Sequence, residues 1–203
     1  LILQISQTSG SKVVILESPS GFTGQGLKFL EFKKLLDYCE SENITLVVDE
    51  TYLETREDTW TAKKYINSKN LIIISSFSKA YGIAGLRAGI IISNKLNIKT
   101  LRSLLPMYEL TSFTIYLLEK VISDQSLSIF RSQIKEDENY IFDAIDNNNG
   151  FKVLKTETNF VLFKHESLSC NYIHDFLLKN YIKVKVHKLV PLFGEWCSAS
   201  LGN

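Results

Sequence analysis

The chain has 203 residues, of which 45% are hydrophobic and 22% charged, and its formal net charge is +1 at pH 7. A chain of this size can bury a sizeable core, and the composition is typical of globular proteins. The near balance of 23 basic and 22 acidic residues gives no electrostatic reason to expect a nucleic-acid partner or an anionic membrane. No apolar run reaches the roughly 20 residues of a membrane-spanning helix.

The cysteines, the histidines and the chain ends each support a separate prediction. The 3 cysteines lie far apart without a CxxC pair, which predicts free thiols and a cytoplasmic location. The 3 histidines lack the close spacing of metal ligands, so we expect no metal site. Because the chain begins at Leu1 and ends at Asn203 just after a predicted strand, we expect it to be truncated at both ends.

The first half of the chain alternates predicted strands with helices. Apolar residues recur at helical spacing over residues 27–39. Short apolar runs predict strands at Val13–Leu16, Ile44–Val48, Leu71–Ile74 and Gly89–Ile92. This alternation predicts an α/β domain with a mostly parallel sheet, in which ligands bind beyond the carboxyl ends of the strands.

The second half has a different pattern, which predicts a smaller α+β domain. Two long helices are predicted at Leu101–Val121 and Leu127–Ile145, and Asn147–Gly150 predicts a turn. Further predicted elements are strands at 151–154, 159–163 and 182–186 and a helix near 172–179. We therefore predict a large domain over residues 1–125 and a small domain over 126–203, entered by a long helix.

Two polar clusters follow neighbouring predicted strands. Asp49 comes directly after one buried strand with Tyr52 three residues on, and Ser76–Lys79 follows the next strand. Arg87 lies eight residues after Lys79. Carboxyl ends of parallel strands meet at one rim of a sheet, so we expect the two clusters to lie close together. A Ser-x-Ser-Lys motif alone often occurs by chance, but its combination with an Asp-x-x-Tyr motif is more specific.

Together these two motifs resemble the pyridoxal-phosphate (PLP) signature of the fold-type-I aminotransferases, particularly the histidinol-phosphate aminotransferase-like group. The resemblance extends from the strand at Val13 to Gly202. It implies a three-layer PLP-transferase fold for the large domain, PLP as the cofactor, and a homodimer with the active site at its interface.

The resemblance also implies the role of each residue around the cofactor ring. Lys79 matches the lysine that forms a Schiff base with PLP and then transfers the substrate proton. Asp49 matches the carboxylate that keeps the pyridine nitrogen protonated, so that the ring can accept electrons. Tyr52 matches the phenol that donates a hydrogen bond to the ring 3-oxygen.

A second group matches the ligands of the cofactor phosphate. Arg87 matches the family's phosphate-binding arginine, whose guanidinium suits a dianion. Ser76 matches a hydroxyl ligand of the phosphate, and Ser78 is expected to add a weaker contact.

Two positions depart from the family pattern. Gly21 stands where the N-P-x-N-P-T-G motif has its second asparagine, which normally binds the cofactor 3-oxygen. Ser198 stands where R-x-S-x-G has the arginine that binds the substrate α-carboxylate. A hydroxyl cannot replace a bidentate guanidinium–carboxylate pair. We therefore expect a substrate without an α-carboxylate, such as an amine, an amino alcohol or a small phosphorylated ketone.

Other outcomes remain open on the substrate side. Lys185, His187 or Lys188 are nearby residues that offer a displaced cation for the carboxylate. Asn159 resembles the asparagine of the family's small-domain strand that approaches the substrate.

Three functions follow from this pattern. The first is a transaminase that moves an amino group from a small-molecule donor to a keto acceptor. The second is a PLP-dependent decarboxylase resembling threonine-phosphate decarboxylase, since the same lysine and aspartate serve both reactions. The third is an inactive, structural aminotransferase-like subunit.

Overall fold

The computed structural model describes residues 10–55, 60–123, 126–146, 150–190 and 194–201. In it, the first sheet is mixed and mostly parallel. Its strands lie in the order β1-β2-β3-β4. β1 and β3 are both parallel to β2, and β4 is antiparallel to β3. The strands are β1 (Val13–Glu17), β2 (Thr45–Asp49), β3 (Leu71–Ser76) and β4 (Gly89–Ser93). The predicted α/β architecture is therefore confirmed.

Helix α1 (Phe29–Ser41) covers one face of this sheet. At its start, the Glu31 carboxylate accepts a hydrogen bond of 2.8 Å from the backbone N–H of Lys28. Its apolar residues recur every three or four positions, so that they fall on one side of the helix. That side packs into a core with β2 and β3 that contains Phe32, Leu35, Leu36, Cys39, Leu46, Val48, Leu71 and Ile73.

The prediction of a single helix over Leu101–Val121 is wrong, because two helices separated by an irregular segment occupy this region. Helix α2 spans Lys95–Arg102 and helix α3 spans Ser112–Ser123. Pro106 lies between them, and a proline lacks the N–H that a helix interior needs. Tyr108 also has a φ of 63°, in the left-handed region. These two residues explain why the apolar periodicity does not continue as one helix.

The second sheet is antiparallel throughout, with the order β5-β6-β8-β7. Helix α4 (Ser126–Asp146) leads into it, and helix α5 (Cys170–Lys179) follows β6. Its strands are β5 (Phe151–Leu154), β6 (Phe160–His165), β7 (Lys185–Val190) and β8 (Gly194–Ser200). The predicted smaller α+β unit is thus present. Its predicted boundary at residues 125 and 126 stays a prediction, because 124 and 125 lie outside the described residues.

In this unit, one predicted strand begins later than expected, and one predicted turn lies mostly outside the described residues. The strand predicted at Ile182–Val186 begins later, at Lys185. The N–H of Ile182 instead donates to the carbonyl of Leu177 at the end of α5 (2.9 Å), so it is not available to a strand. The turn predicted at residues 147–149 lies outside the described residues, although the adjacent Gly150 has the positive φ (93°) typical of a turn.

The two units meet at the loop that follows β1. The carbonyl of Gly24 accepts a hydrogen bond of 2.6 Å from the N–H of Glu157, and Gln25 donates to the carbonyl of Lys155. Gly24 has a φ of 68°, and a Cβ there would lie 2.2 Å from the Cβ of Thr156. Only glycine fits this conformation and this close approach. Within the described ranges, no helix has both the length and the apolar character that a membrane crossing requires.

Candidate active site

A cleft of about 320 Å³ opens at the carboxyl ends of β1 and β2. This is the rim at which ligands bind in open α/β sheets. Its lining combines two carboxylates with two aromatic rings, and it consists of Glu17, Pro19, Gly21, Phe22, Asp49, Thr51 and Tyr52.

Asp49 lies at the base of this cleft because it is the last residue of β2. It is the register partner of Glu17, the last residue of β1. One carboxylate oxygen of Asp49 accepts a hydrogen bond of 2.9 Å from the N–H of Thr51, which fixes the side chain at the strand end. The cleft therefore has negative charge at its base, which suits a cationic ring nitrogen.

Tyr52 forms a side wall of the cleft. Its ring packs edge-to-face on Phe160 of the second sheet, with centroids 6.1 Å apart. Its other side lies against Gly21, where an added Cβ would be 2.9 Å from Cε2 of Tyr52. The position of the Tyr52 ring therefore depends on the absence of a side chain at Gly21.

Lys79 reaches the same place from the next strand. Because β3 is parallel to β2, the loop after Ser76 emerges at the rim that carries Asp49. The ammonium nitrogen of Lys79 lies 5.2 Å from the centroid of the Tyr52 ring. The structure thus brings Lys79 to Tyr52 and to the rim of the sheet that carries Asp49.

The predicted phosphate ligands lie on one loop. Ser76 ends β3, and its hydroxyl accepts a hydrogen bond of 3.1 Å from the N–H of Ser78. The antiparallel register of Ser76 with Gly89 returns Arg87 to this strand end. Arg87 has a φ of 52°, and its exposed guanidinium donates to the carbonyl of Ala84 (3.2 Å).

Two further acids near Asp49 have structural roles instead. Glu50 is only 2% exposed, and its carboxylate accepts hydrogen bonds from the Thr61 hydroxyl and the N–H of Ala62. Burial raises the pKa of Glu50, although these hydrogen bonds oppose the rise. Glu54 forms an ion pair of 2.8 Å with Arg131 of α4. Neither contributes to the lining of the cleft.

We predict that Glu50→Gln keeps the fold and changes the pH dependence of stability. Because the folded-state pKa of Glu50 is raised, its stabilising contribution is largest at low pH and is lost as the pH rises through that value. In urea titrations between pH 4 and 7, the free energy of unfolding of the glutamine variant should rise relative to that of the wild type as the pH increases toward 7. Glu50→Ala should cost about 1–3 kcal/mol, because the donors of Thr61 and Ala62 lose their buried partner. A glutamine variant as unstable as the alanine variant at pH 7 would contradict this.

The two predicted substrate-side residues lie on the second sheet. Asn159 precedes β6, and its carbonyl accepts a hydrogen bond of 2.8 Å from the N–H of Leu201. Ser198 lies on β8, and its hydroxyl is 2.8 Å from Nε2 of His187. Lys185 is the register partner of Ser198 and is exposed. The side chain of Lys188 lies outside the described residues.

Sequence reasoning missed two residues of this site. Glu17 accepts a hydrogen bond of 2.8 Å from the N–H of Gly21, and so holds the loop that carries the glycine. Its position at the end of a strand beside β2 was a usable signal. Phe22 contacts His187 edge-to-face, with centroids 5.0 Å apart. No local pattern predicts a contact between residues so distant in the sequence.

The sequence matches the family model for aminotransferase class I and II over residues 2–187. The chain belongs to the class I and II aminotransferases. It is 26% identical to the histidinol-phosphate aminotransferase of Clostridium kluyveri over 188 residues, which cover 92% of this chain and 52% of that protein. It is 30% identical to the same enzyme of Clostridium novyi over 189 residues, which cover 91% of this chain and 50% of that protein. The chain thus spans about half the length of these curated relatives.

Solved structures share the fold of this aminotransferase chain. The histidinol-phosphate aminotransferase of Sinorhizobium meliloti, solved in complex with PLP, superposes with a TM-score of 0.83 at 22% identity and covers 98% of this chain and 55% of that one. The L-threonine-O-3-phosphate decarboxylase of Porphyromonas gingivalis superposes with a TM-score of 0.80 at 21% identity, covering 96% of this chain and 60% of that one. Ser198 lies beyond the residues matched by the family model, so the family match does not bear on that position.

Proposed function

We propose that the protein is a PLP-dependent aminotransferase that moves an amino group from a small-molecule donor to a keto acceptor. The observation that carries this proposal is the position of the Lys79 amine, 5.2 Å from the centroid of the Tyr52 ring, at the rim that carries Asp49. Membership of the aminotransferase family supports it.

The residues of the cleft fit PLP. When bound, the cofactor supplies an electron sink for the charge that develops at the amino carbon of the substrate. Asp49 would hold the proton on the ring nitrogen, and Tyr52 would donate to the ring 3-oxygen. Lys79 would hold the cofactor and then take the proton from the amino carbon and return it.

The phosphate would be bound by the loop after β3. Arg87 offers a planar guanidinium for charge-assisted hydrogen bonds, and it is exposed at the end of β3. The hydroxyls of Ser76 and Ser78 lie on the same loop and would complete the set of donors. These contacts would orient the cofactor and would take no part in a step of the reaction.

On the substrate side, we propose a donor that lacks an α-carboxylate. We assign Ser198 and Asn159 to that side, and both are uncharged, although Lys185, the register partner of Ser198, lies on the same face of the sheet. A carboxylate bound at Ser198 alone would lose hydration without gaining an ion pair. An amine or an amino alcohol avoids this cost.

The second candidate is a PLP-dependent decarboxylase, favoured by the structural likeness to the threonine-phosphate decarboxylase. Such an enzyme must also bind a carboxylate, which the uncharged Ser198 argues against. An inactive structural subunit is the third possibility, and the presence of Lys79, Asp49, Tyr52 and Arg87 argues against it. We also propose that the protein is a cytoplasmic homodimer; its cysteines are free and buried, in keeping with a reducing compartment.

The test is a single half-reaction. The PLP-loaded protein is mixed with a panel of amines, amino alcohols and amino acids, and its visible absorbance is recorded, with Lys79→Ala as the control. Conversion to the amine form of the cofactor supports transamination. Release of CO₂ from an amino acid donor favours the decarboxylase, and no change with any donor contradicts both enzyme proposals.

A further inference from the structure

The hydroxyl of Ser198 is already engaged inside the protein. It shares a hydrogen bond of 2.8 Å with Nε2 of His187, a residue that is 4% exposed. Nδ1 of the same ring is buried and has no hydrogen-bond partner within the described part of the chain. His187 thus combines a fixed orientation with one unsatisfied polar atom.

The surroundings of His187 favour its neutral form. Burial lowers the pKa of His187, and the nearby charge of Lys185 lowers it further. A neutral imidazole bonded to a hydroxyl offers hydrogen bonds but no positive charge. The pair therefore cannot act as a carboxylate anchor of the kind that an arginine provides.

This pair faces the candidate active site. Ser198 is the register partner of Leu162, so their side chains lie on the same face of the second sheet. Leu162 packs in a cluster with Phe160 and Trp196, and Tyr52 of the cleft packs against that cluster. The face that carries Ser198 is therefore the face turned toward the cleft.

Phe22 links the pair to the loop that carries Gly21. Its ring lines the cleft and lies edge-to-face on the His187 ring, 5.0 Å between centroids. Gly21 and Ser198, the two positions that depart from the family pattern, are thus linked by the contact of Phe22 with His187 and the bond of His187 to Ser198. We call Phe22, His187 and Ser198 the imidazole wall.

The wall also restricts what can stand at position 198. An arginine Cγ placed where the Ser198 hydroxyl lies would be 2.8 Å from Nε2 of His187. Carbon contacts are optimal at roughly 3.5–4.0 Å, so the arginine would have to turn away or displace the imidazole. His187 therefore blocks one side-chain direction for an arginine at position 198.

We propose that His187 is a specificity-determining residue, and that the imidazole wall selects donors whose amino carbon carries an uncharged hydrogen-bonding group, such as a hydroxymethyl, in place of a carboxylate. This inference rests on the proposed aminotransferase function and identifies its substrate class. A hydroxyl can exchange hydrogen bonds with the neutral pair without requiring a counter-charge.

The first test compares matched ligands. Dissociation constants of the PLP-loaded protein are measured by visible absorbance for alaninol against alanine and for phenylalaninol against phenylalanine. We expect the amino alcohol to bind about tenfold tighter or better in each pair. Equal binding, or tighter binding of the amino acid, overturns the proposal. If Lys185→Gln then abolishes amino acid binding, Lys185 is the anchor.

The second test separates His187 from Ser198. Ser198→Arg alone should leave the preference for amino alcohols, whereas Ser198→Arg combined with His187→Ala should shift it toward amino acids by about 10- to 100-fold. His174→Ala, at a half-buried position of α5, is the matched histidine control. If the single Ser198→Arg variant binds amino acids as well as the double variant, His187 is not the determinant.

The third test needs no cofactor. In the apo protein labelled with ¹⁵N-histidine, the ring resonances of His187 should remain those of a neutral imidazole below pH 6.5, and Ser198→Ala should shift the Nε2 resonance. A ring that titrates normally and ignores Ser198→Ala overturns the wall. Failure of the protein to bind PLP would instead contradict the proposed function, and so the two failures are distinguishable.

Discussion

Replacing Asp49 with asparagine should lower kcat/KM for amino-group transfer by about 10²- to 10³-fold, the range found when one preorganised electrostatic contact is removed from an active site. Asparagine keeps an oxygen that can accept the N–H of Thr51, now 2.9 Å from Asp49 Oδ1. The loop should therefore keep its shape, while the negative charge needed beside a cationic ring nitrogen is lost. Steady-state kinetics measures the loss, and circular dichroism melting checks that the fold is retained.

Two comparisons make the Asp49 result specific. Asp37→Asn removes an exposed carboxylate on α1 that pairs with Lys33, and it should leave kcat/KM close to the wild-type value. Glu17→Gln removes the other carboxylate of the cleft, whose role in the structure is to hold the N–H of Gly21. If Glu17→Gln is more damaging than Asp49→Asn, then Asp49 does not have the role proposed for it.

Replacing Arg87 with leucine should weaken PLP binding by at least about 100-fold. Hydrogen bonds to charged groups contribute about 1.5–3 kcal/mol each, and a guanidinium can make two to a phosphate. The measurement is a titration of the apo protein with PLP, followed by visible absorbance. Arg102→Leu, an exposed arginine at the end of α2, is the matched control and should leave the affinity unchanged.

A second variant at this position separates charge from backbone strain. Arg87 has a φ of 52°, a conformation that costs energy for any residue with a Cβ. Lysine and leucine both have a Cβ, so Arg87→Lys and Arg87→Leu carry the same strain. Arg87→Lys should recover part of the affinity through its charge. Equal affinities of the two variants would contradict a phosphate-binding role.

The sequence was sufficient to predict the sheet rim at which the site lies. The apolar runs before Asp49 and before Ser76 are long enough to be buried strands, and parallel pairing of β2 and β3 then places Asp49 and Lys79 at the same rim. The burial of Glu50 was not predicted, although successive side chains of an extended segment point to opposite faces. Asp49 and Glu50 accordingly face the cleft and the core.

What the sequence could not show depends on contacts between distant residues. The ring contact of Phe22 with His187 arises only when the loop after β1 meets the second sheet. The bond of His187 to Ser198 depends on the pairing of β7 with β8. The close fit of Tyr52 against Gly21 is likewise a tertiary feature. The helix break at Pro106 is a different case, because the proline signal is present in the sequence and outweighs the apolar periodicity around it.

The most direct test of the central claim is to reduce the PLP-loaded protein with borohydride and to locate the pyridoxyl group by peptide mass spectrometry. The structure places Lys79 beside the Tyr52 ring at the rim that carries Asp49, so we predict a stoichiometric adduct on Lys79 that disappears in Lys79→Ala. An adduct on a different lysine, or no adduct from PLP-saturated protein, would contradict the account.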